Sequence, residues 1–357
     1  MKHNFLLIIG LIIILFPISL KSQEAPKISG YVQGLFQANL DENGKLKEGD
    51  LVNTLRIRRV RLSLDGKLTK SLSYKIQGDL INSPILVDAY LKYKPCNEFS
   101  IQAGQFKLPF TIENPINPLN LEIFDYGESL SQLAGYRDVC GVGKLGRDIG
   151  IMASGDLFKV KGKDFSIVNY NIGVFNGNGA NIIDNNNSKD VVGQLNIHPM
   201  LKDLTLSGSF YYGNYYKDTI NNGTRNRWTA GIQYNDGNFV VRAEYLSGMT
   251  GRQVTNESGQ VLEEELKNSK GYYAVAGYNF KFGKDDSQKL MPVFRYEHFE
   301  PGDFNNAINE STNYYTIGID YWPVKSLNFK LDYSLVQAIK DTQTNSHRIV
   351  GILSYKF

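Results

Sequence analysis

From Ile28 to Phe357 the chain repeats one pattern: segments of about 10 to 14 residues that alternate apolar and polar side chains. The connections between them are short, then long, then short again. Sixteen such segments are read, at 28–40, 53–68, 72–81, 85–95, 99–108, 147–158, 165–177, 189–199, 203–216, 226–236, 238–250, 270–283, 289–300, 312–323, 327–340 and 346–357. "TKS", "PCNE", "VKGKD", "MLKD", "DG", "KDDSQ" and "PVKS" are the short connections. "DENGKLKEGDLV", "NGNGANIIDNNNS", "KDTINNGTR" and "TGRQVTNESGQVLEEELKNS" are among the long ones. "INSP" around Ser83 is short where a long connection is due. Only the stretch from Pro109 to Gly146 has room for much helix.

A soluble sandwich has no reason to sort its loops this way. A transmembrane β-barrel does, with short turns on the periplasmic side and longer loops outside. Strand length agrees. About eleven residues at roughly 3.3 Å each, tilted near 40°, rise about 25–28 Å, the height of the apolar band of such a barrel. An even strand count permits closure, which removes exposed edges. The fold expected is therefore all-β, a 16-stranded antiparallel transmembrane barrel. The average composition hides this: charged residues are 21% and mean hydropathy is −0.30.

Alternation assigns the faces. In "VDAYLKYK", Val87, Ala89, Leu91 and Tyr93 form the outward set, and Asp88, Tyr90, Lys92 and Lys94 the inward one. In "NFKLDYSL", Phe329, Leu331, Tyr333 and Leu335 oppose Lys330, Asp332 and Ser334. Aromatic pairs near strand ends (Tyr211–Tyr212, Tyr215–Tyr216, Tyr272–Tyr273, Tyr314–Tyr315) and Trp322 suit a membrane–water interface.

The N-terminus reads as a secretory signal peptide over residues 1–22, leaving a barrel domain at 23–357. Lys2 and His3 precede an apolar run from Phe5 to Leu20, and cleavage is placed after Ser22. Its two lysines removed, 39 basic residues become 37 against 36 acidic ones. Net charge thus favours no partner. Cys96 and Cys140 fall at opposite ends of this layout, so free thiols are expected.

"LRIRRVRLSLDGKL" carries the sharpest local feature. Arg56 and Arg58 share one parity, and Arg59 and Arg61 the other. Arginines on the lipid face cost roughly 2–4 kcal/mol each near the midplane, so all four belong inside. The parity shift between Arg58 and Arg59 predicts a β-bulge. Guanidiniums on a channel wall attract anions. A salt-bridge ladder with Asp79 and Asp88 is the other use for them, and both uses are compatible.

"RIRRVRLSLDGKL", "LSYKIQGDL", "VDAYLKYKP", "QAGQFKLPF" and "GRDIGIMASG" occur in this order. Together they resemble the phosphate-selective porin O/P family of bacterial outer membranes, in its Bacteroidetes version. The resemblance implies a sixteen-stranded barrel, usually a homotrimer, that passes small hydrophilic solutes passively. It also implies a preference for anions such as phosphate through basic lumen residues, and a third outer loop that folds inward. The ending "LSYKF" resembles the sequence by which barrel assembly machinery recognises its clients. The basic wall is assigned to Arg56, Arg58, Arg59 and Arg61, helped by Lys75 and Lys92. The loop at 109–146 departs from a basic lumen. Glu113, Glu122, Asp125 and Glu128 have no Lys or Arg among them before Arg137. A mixed constriction is expected, with the acidic loop opposing the arginine wall.

Other motifs are weaker. "GVGKLG" at 141–146 leads into a strand, where a dinucleotide site needs a helix. His198, His298 and His347 lack metal-ligand spacing, and no cofactor is expected. "DNNNSKD" lacks the EF-hand pattern. "LEEELK" suits a helical turn in an outer loop. No basic patch is interleaved with aromatics for nucleic acid. Two alternatives to the channel remain: a plugged barrel serving adhesion or complex assembly, and a barrel hydrolase built on His298 beside Glu297 and Glu300.

Overall fold

The computed structural model describes residues 25–47, 53–81, 85–217, 220–255, 261–302, 311–339 and 344–357. The segment 1–22 and the connection at Ser83 lie outside the described residues. Among these residues the chain forms sixteen antiparallel strands, β1 Lys27–Leu40, β2 Asn53–Lys67, β3 Leu72–Asp79, β4 Leu86–Tyr93 and β5 Ser100–Lys107 being the first five. Next come β6 Arg147–Lys159, β7 Ser166–Phe175, β8 Asp190–Ile197, β9 Leu204–Lys217, β10 Ile220–Asn235 and β11 Phe239–Thr255. β12 runs over Val261–Tyr278 and resumes at Phe280–Phe282. It is followed by β13 Gln288–Glu300, β14 Thr312–Val324, β15 Leu327–Ala338 and β16 Ser346–Lys356.

Each strand pairs with its chain neighbours, and β1 pairs with β16, so the sheet closes. Tyr31 faces Lys356 across the seam, and Gly30 and Phe357 exchange both backbone hydrogen bonds at 3.0 Å. Gly30 is needed there. A Cβ on it would stand 2.7 Å from the Phe357 ring.

Burial runs opposite to that of a soluble protein. On β15, Phe329, Leu331 and Tyr333 are exposed, while Asn328, Lys330, Asp332 and Ser334 are buried. On β14, Ile317 and Ile319 are exposed, and Thr316 and Asp320 are buried. Apolar side chains therefore face lipid and polar ones the interior.

The structure corrects several sequence expectations. β10, β11 and β12 run 16, 17 and 18 residues, well past the expected 226–236, 238–250 and 270–283. Much of "KDTINNGTR" and of "TGRQVTNESGQVLEEELKNS" is strand. "LEEELK" is not helical: it lies in β12, and Glu263 to Leu266 pair with Gly251 to Val254 of β11. Cross-strand hydrogen bonds satisfy the backbone there and override local helix propensity. Val87 is buried rather than lipid-facing, because the register slips between Gln77 and Gly78 and leaves Val87 unpaired. The tyrosine pairs do not both reach the interface. Tyr212, Tyr272 and Tyr315 are exposed, whereas Tyr211, Tyr215 and Tyr273 are buried inside. Strand alternation sends adjacent side chains to opposite faces. Cys96 and Cys140 are free thiols.

The segment between β5 and β6 folds into the lumen. It carries a 3-10 turn at Pro118–Asn120 and one short helix, α1 Glu128–Leu133. Apolar contacts seat it on the wall. Phe110, Leu121, Tyr126 and Leu130 pack with Phe106, Phe175 and Tyr211. Ile123 and Leu133 pack with Leu246, Tyr273, Val275, Val293 and Phe299.

Candidate pore constriction

The expected bulge is present in β2. Gln33 of β1 pairs with Arg59 and Gly34 with Ile57, so Arg58 is the extra residue. The result is two consecutive guanidiniums on the lumen side. Both bind Asp125 of the inner loop. Arg58 pairs with one carboxylate oxygen, and Arg59 Nη2 donates to the other at 3.1 Å. Burial alone raises the Asp125 pKa, but the charges of Arg58 and Arg59 outweigh it and hold the carboxyl below its usual range. Arg59 Nη1 also donates to Gln33 at 3.0 Å, which fixes its fork.

Further along the same wall, Arg61 Nε donates to Asp79 at 3.2 Å and Arg147 Nε to Asp88 at 2.7 Å. Lys75 lies 3.4 Å from Asp65. These contacts realise the ladder with Asp79 and Asp88. Lys107, at the end of β5, donates its Nζ to the carbonyls of Asn114 at 2.6 Å and Ile116 at 2.7 Å and to the Tyr126 hydroxyl at 2.8 Å. It ties the root of the inner loop.

The opposite wall is built differently. Glu113 accepts from Arg242 at 3.0 Å and from Arg295 at 2.7 Å. Glu122 takes both terminal nitrogens of Arg242, at 2.7 and 3.1 Å. Asp138 binds Arg227 through two bonds of 2.5 Å and Arg225 through one of 2.9 Å. All these side chains are nearly or wholly buried. Burial pushes Glu122 up, yet Arg242 prevails and lowers it. Backbone groups add to the seating. Ser129 N donates to Glu297 at 2.7 Å, Ile112 N to Glu244 at 2.9 Å and Phe124 N to Asp332 at 2.6 Å. Gly127 precedes α1, and a Cβ there would stand 2.1 Å from Arg295 Nη2 and displace that guanidinium.

The loop packs on β10–β13 and leaves, besides a cavity of about 440 Å³ along β6–β10, open space along β13, β14, β16 and β1–β5. At its outer part lies a cavity of about 560 Å³ whose charged lining is eight arginines and four carboxylates. Arg56, Arg58, Arg59 and Arg61 are all there, with Arg348 of β16. Asp125 and Glu128 line it too, and Glu128 is held by Arg137 at 2.6 Å. Glu113 and Glu122 do not; they are structural anchors behind the loop. The acidic loop therefore presents no free acidic face to the arginines. Among the described residues, no carboxylate stands within salt-bridge distance of Arg56 or Arg348. Below it, a cavity of about 310 Å³ shares Arg61 and Arg147 with the first. Another of about 310 Å³ shares Lys75 with the second and adds Lys27, Lys67 and Lys92. Lys75 and Lys92 hence belong to the short-turn end, not to the aperture.

The anchors Arg225, Arg227, Arg242, Arg295 and Asp138 went unnoticed in the sequence, as did Phe124 and Arg348. Inward parity marks the strand arginines in "RNR", "RAE" and "RYE", but parity does not say which loop carboxylate each one meets. His298 stacks on Tyr272 at 5.0 Å and bonds Asn313 at 2.9 Å.

Comparison with known proteins agrees with this architecture. No curated protein sequence matches the chain. Among solved structures, the anion-selective porin from Comamonas acidovorans aligns over 94% of this chain and 100% of its own, at 13% identity and a TM-score of 0.65. The Salmonella typhi OmpF complex with daunomycin aligns over 93% and 97%, at 15% identity and a TM-score of 0.66. The trimer form of Vibrio cholerae OmpT aligns over 94% and 100%, at 12% identity and a TM-score of 0.62. At these identities the likeness concerns the fold. Residues 27–357 match the family described as phosphate-selective porin O and P, and the chain belongs to that family.

Proposed function

We propose that this outer-membrane porin, a channel for passive diffusion, prefers small hydrophilic anions, phosphate among them. The observation that carries this reading is the aperture lining, in which Arg56 and Arg348 have no described carboxylate within salt-bridge distance and Arg58 and Arg59 share Asp125. Selection is assigned to Arg56, Arg58, Arg59 and Arg61 with Arg348. Lys75 and Lys92 draw anions through the short-turn end. Asp125 and Glu128 trim the charge of the aperture, while Glu113 and Glu122 hold the loop in place. The wall acts by electrostatic attraction of a weakly hydrated cation array, without covalent chemistry. The working unit is a homotrimer of mature chains that begin near residue 23 after removal of a signal peptide. A trimeric Vibrio cholerae porin of the same fold supports the assembly.

The test is single-channel current of the purified protein in a planar bilayer under a KCl gradient. The reversal potential is expected to have the sign of chloride preference, and added phosphate to reduce the current. A cation-selective or unselective current would overturn the anion reading. No current from a folded barrel would favour a plugged barrel serving adhesion or assembly.

A further inference from the structure

At the seam between β1 and β16, three neighbouring inward positions are apolar in a mostly polar lumen wall. Leu35 of β1 and Val350 and Ile352 of β16 are buried, apolar and packed together. The ring of Phe124 in the inner loop covers them. Two guanidiniums lie over that same ring. Arg348 Cζ is 4.6 Å from its centroid and Arg58 Cζ 5.6 Å. Arg58, Arg348 and Phe124 all line the arginine-rich aperture. Arg348 Nε is buried with no hydrogen-bond partner among the described residues, and the ring face lies against the same guanidinium.

The face of an aromatic ring attracts a cation through its quadrupole. It carries no net charge, so it positions a guanidinium without cancelling it. A carboxylate positions one equally well and does cancel it, as Glu113, Glu122 and Asp138 do across the lumen. We infer that Phe124 is a specificity-determining residue of the pore. Seated on Leu35, Val350 and Ile352, its ring holds the Arg348 guanidinium at the aperture, where no described carboxylate pairs with it, while Arg58 over the same ring is paired with Asp125; the Arg348 charge sets the degree of anion preference. The inference rests on the anion reading above.

Phe124→Leu keeps an apolar group for the seat and removes the ring face; Phe124→Tyr keeps both. A heat-modifiable gel shift verifies that each variant forms a barrel. In the bilayer, Phe124→Leu is expected to lower the chloride-over-potassium permeability ratio by about two- to fivefold, and Phe124→Tyr to leave it near wild type. An unchanged ratio in Phe124→Leu would overturn the inference, as would an equal loss in both variants. A second readout is independent of selectivity: the rate at which phenylglyoxal modifies Arg348, followed by mass spectrometry. It is expected to rise in Phe124→Leu and not in Phe124→Tyr. If the wild type shows no anion preference, the anion reading falls by itself. The modification rates still decide whether the ring holds Arg348, and equal rates in all three proteins would sink that as well.

Discussion

Arginines on the two sides of this lumen do opposite work. Arg225, Arg227, Arg242 and Arg295 are buried against Asp138, Glu113 and Glu122, and their charge is consumed in holding the inner loop. Arg56 and Arg348 face the aperture with no carboxylate within salt-bridge distance among the described residues, and Arg58 and Arg59 share Asp125. The side chain is the same. Partner and burial decide whether it acts as a fastener or as a field.

The comparison breaks first at Glu113, which serves two buried arginines. Glu113→Gln leaves Arg242 with Glu122 and Arg295 with Glu297 alone, so the about 3–5 kcal/mol of breaking a buried pair outright is the upper bound on its cost. Heat-modifiable gel mobility is expected to show a lower unfolding temperature, and the open-channel conductance to rise as the loop leaves the wall. If neither moves, the fastening role is wrong.

On the other side, Arg348→Ala and Arg56→Ala are expected to leave that temperature nearly unchanged. Each should lower the chloride preference by up to about fivefold, since a unit charge roughly 4 Å from an ion in water is worth about 1 kcal/mol. A drop in stability with selectivity intact would exchange the two roles.

Asp125 sharpens the contrast, because it is a fastener placed within the field. Asp125→Asn should raise chloride preference by about twofold as Arg58 and Arg59 lose their shared counter-charge. Acid should do the same. The folded pKa of Asp125 is depressed, so its tie to the arginines is complete above the ordinary carboxylate value and is lost only as pH falls through the lower, folded one. Selectivity measured from pH 7 downward is therefore expected to stay flat to about pH 4 and to climb only below. A rise already near pH 6 would contradict the pairing.

The smallest effect belongs to Lys92→Ala at the short-turn end. Conductance in dilute KCl should fall slightly, and the difference should vanish in 1 M salt, where the screening length is about 3 Å.

The barrel was legible in the sequence because lipid imposes a period-two pattern on every strand, as in Phe329 to Leu335. The bulge was legible because four arginines on one strand admit no other parity. The path of the inner loop was not. Glu113 meets Arg242 and Arg295 from far along the chain, and nothing local in "TIENPINP" names those partners. The upper reaches of β10–β12 were hidden for another reason. Asn, Gly and Thr in "NNGTR" have turn chemistry, and only pairing with a neighbour makes them strand.

The seam between Gly30 and Phe357 has a consequence in time. Of the sixteen described strands, β1 is made first, yet its second partner, β16, is made after all the others. Pairing over such a separation is slow, since loop closure precedes any reward from contact. Until β16 arrives, β1 keeps one row of backbone donors and acceptors bare and the sheet has two open margins. Such margins invite pairing with other chains. With this connectivity the sheet closes in one late step, when β16 pairs with β1.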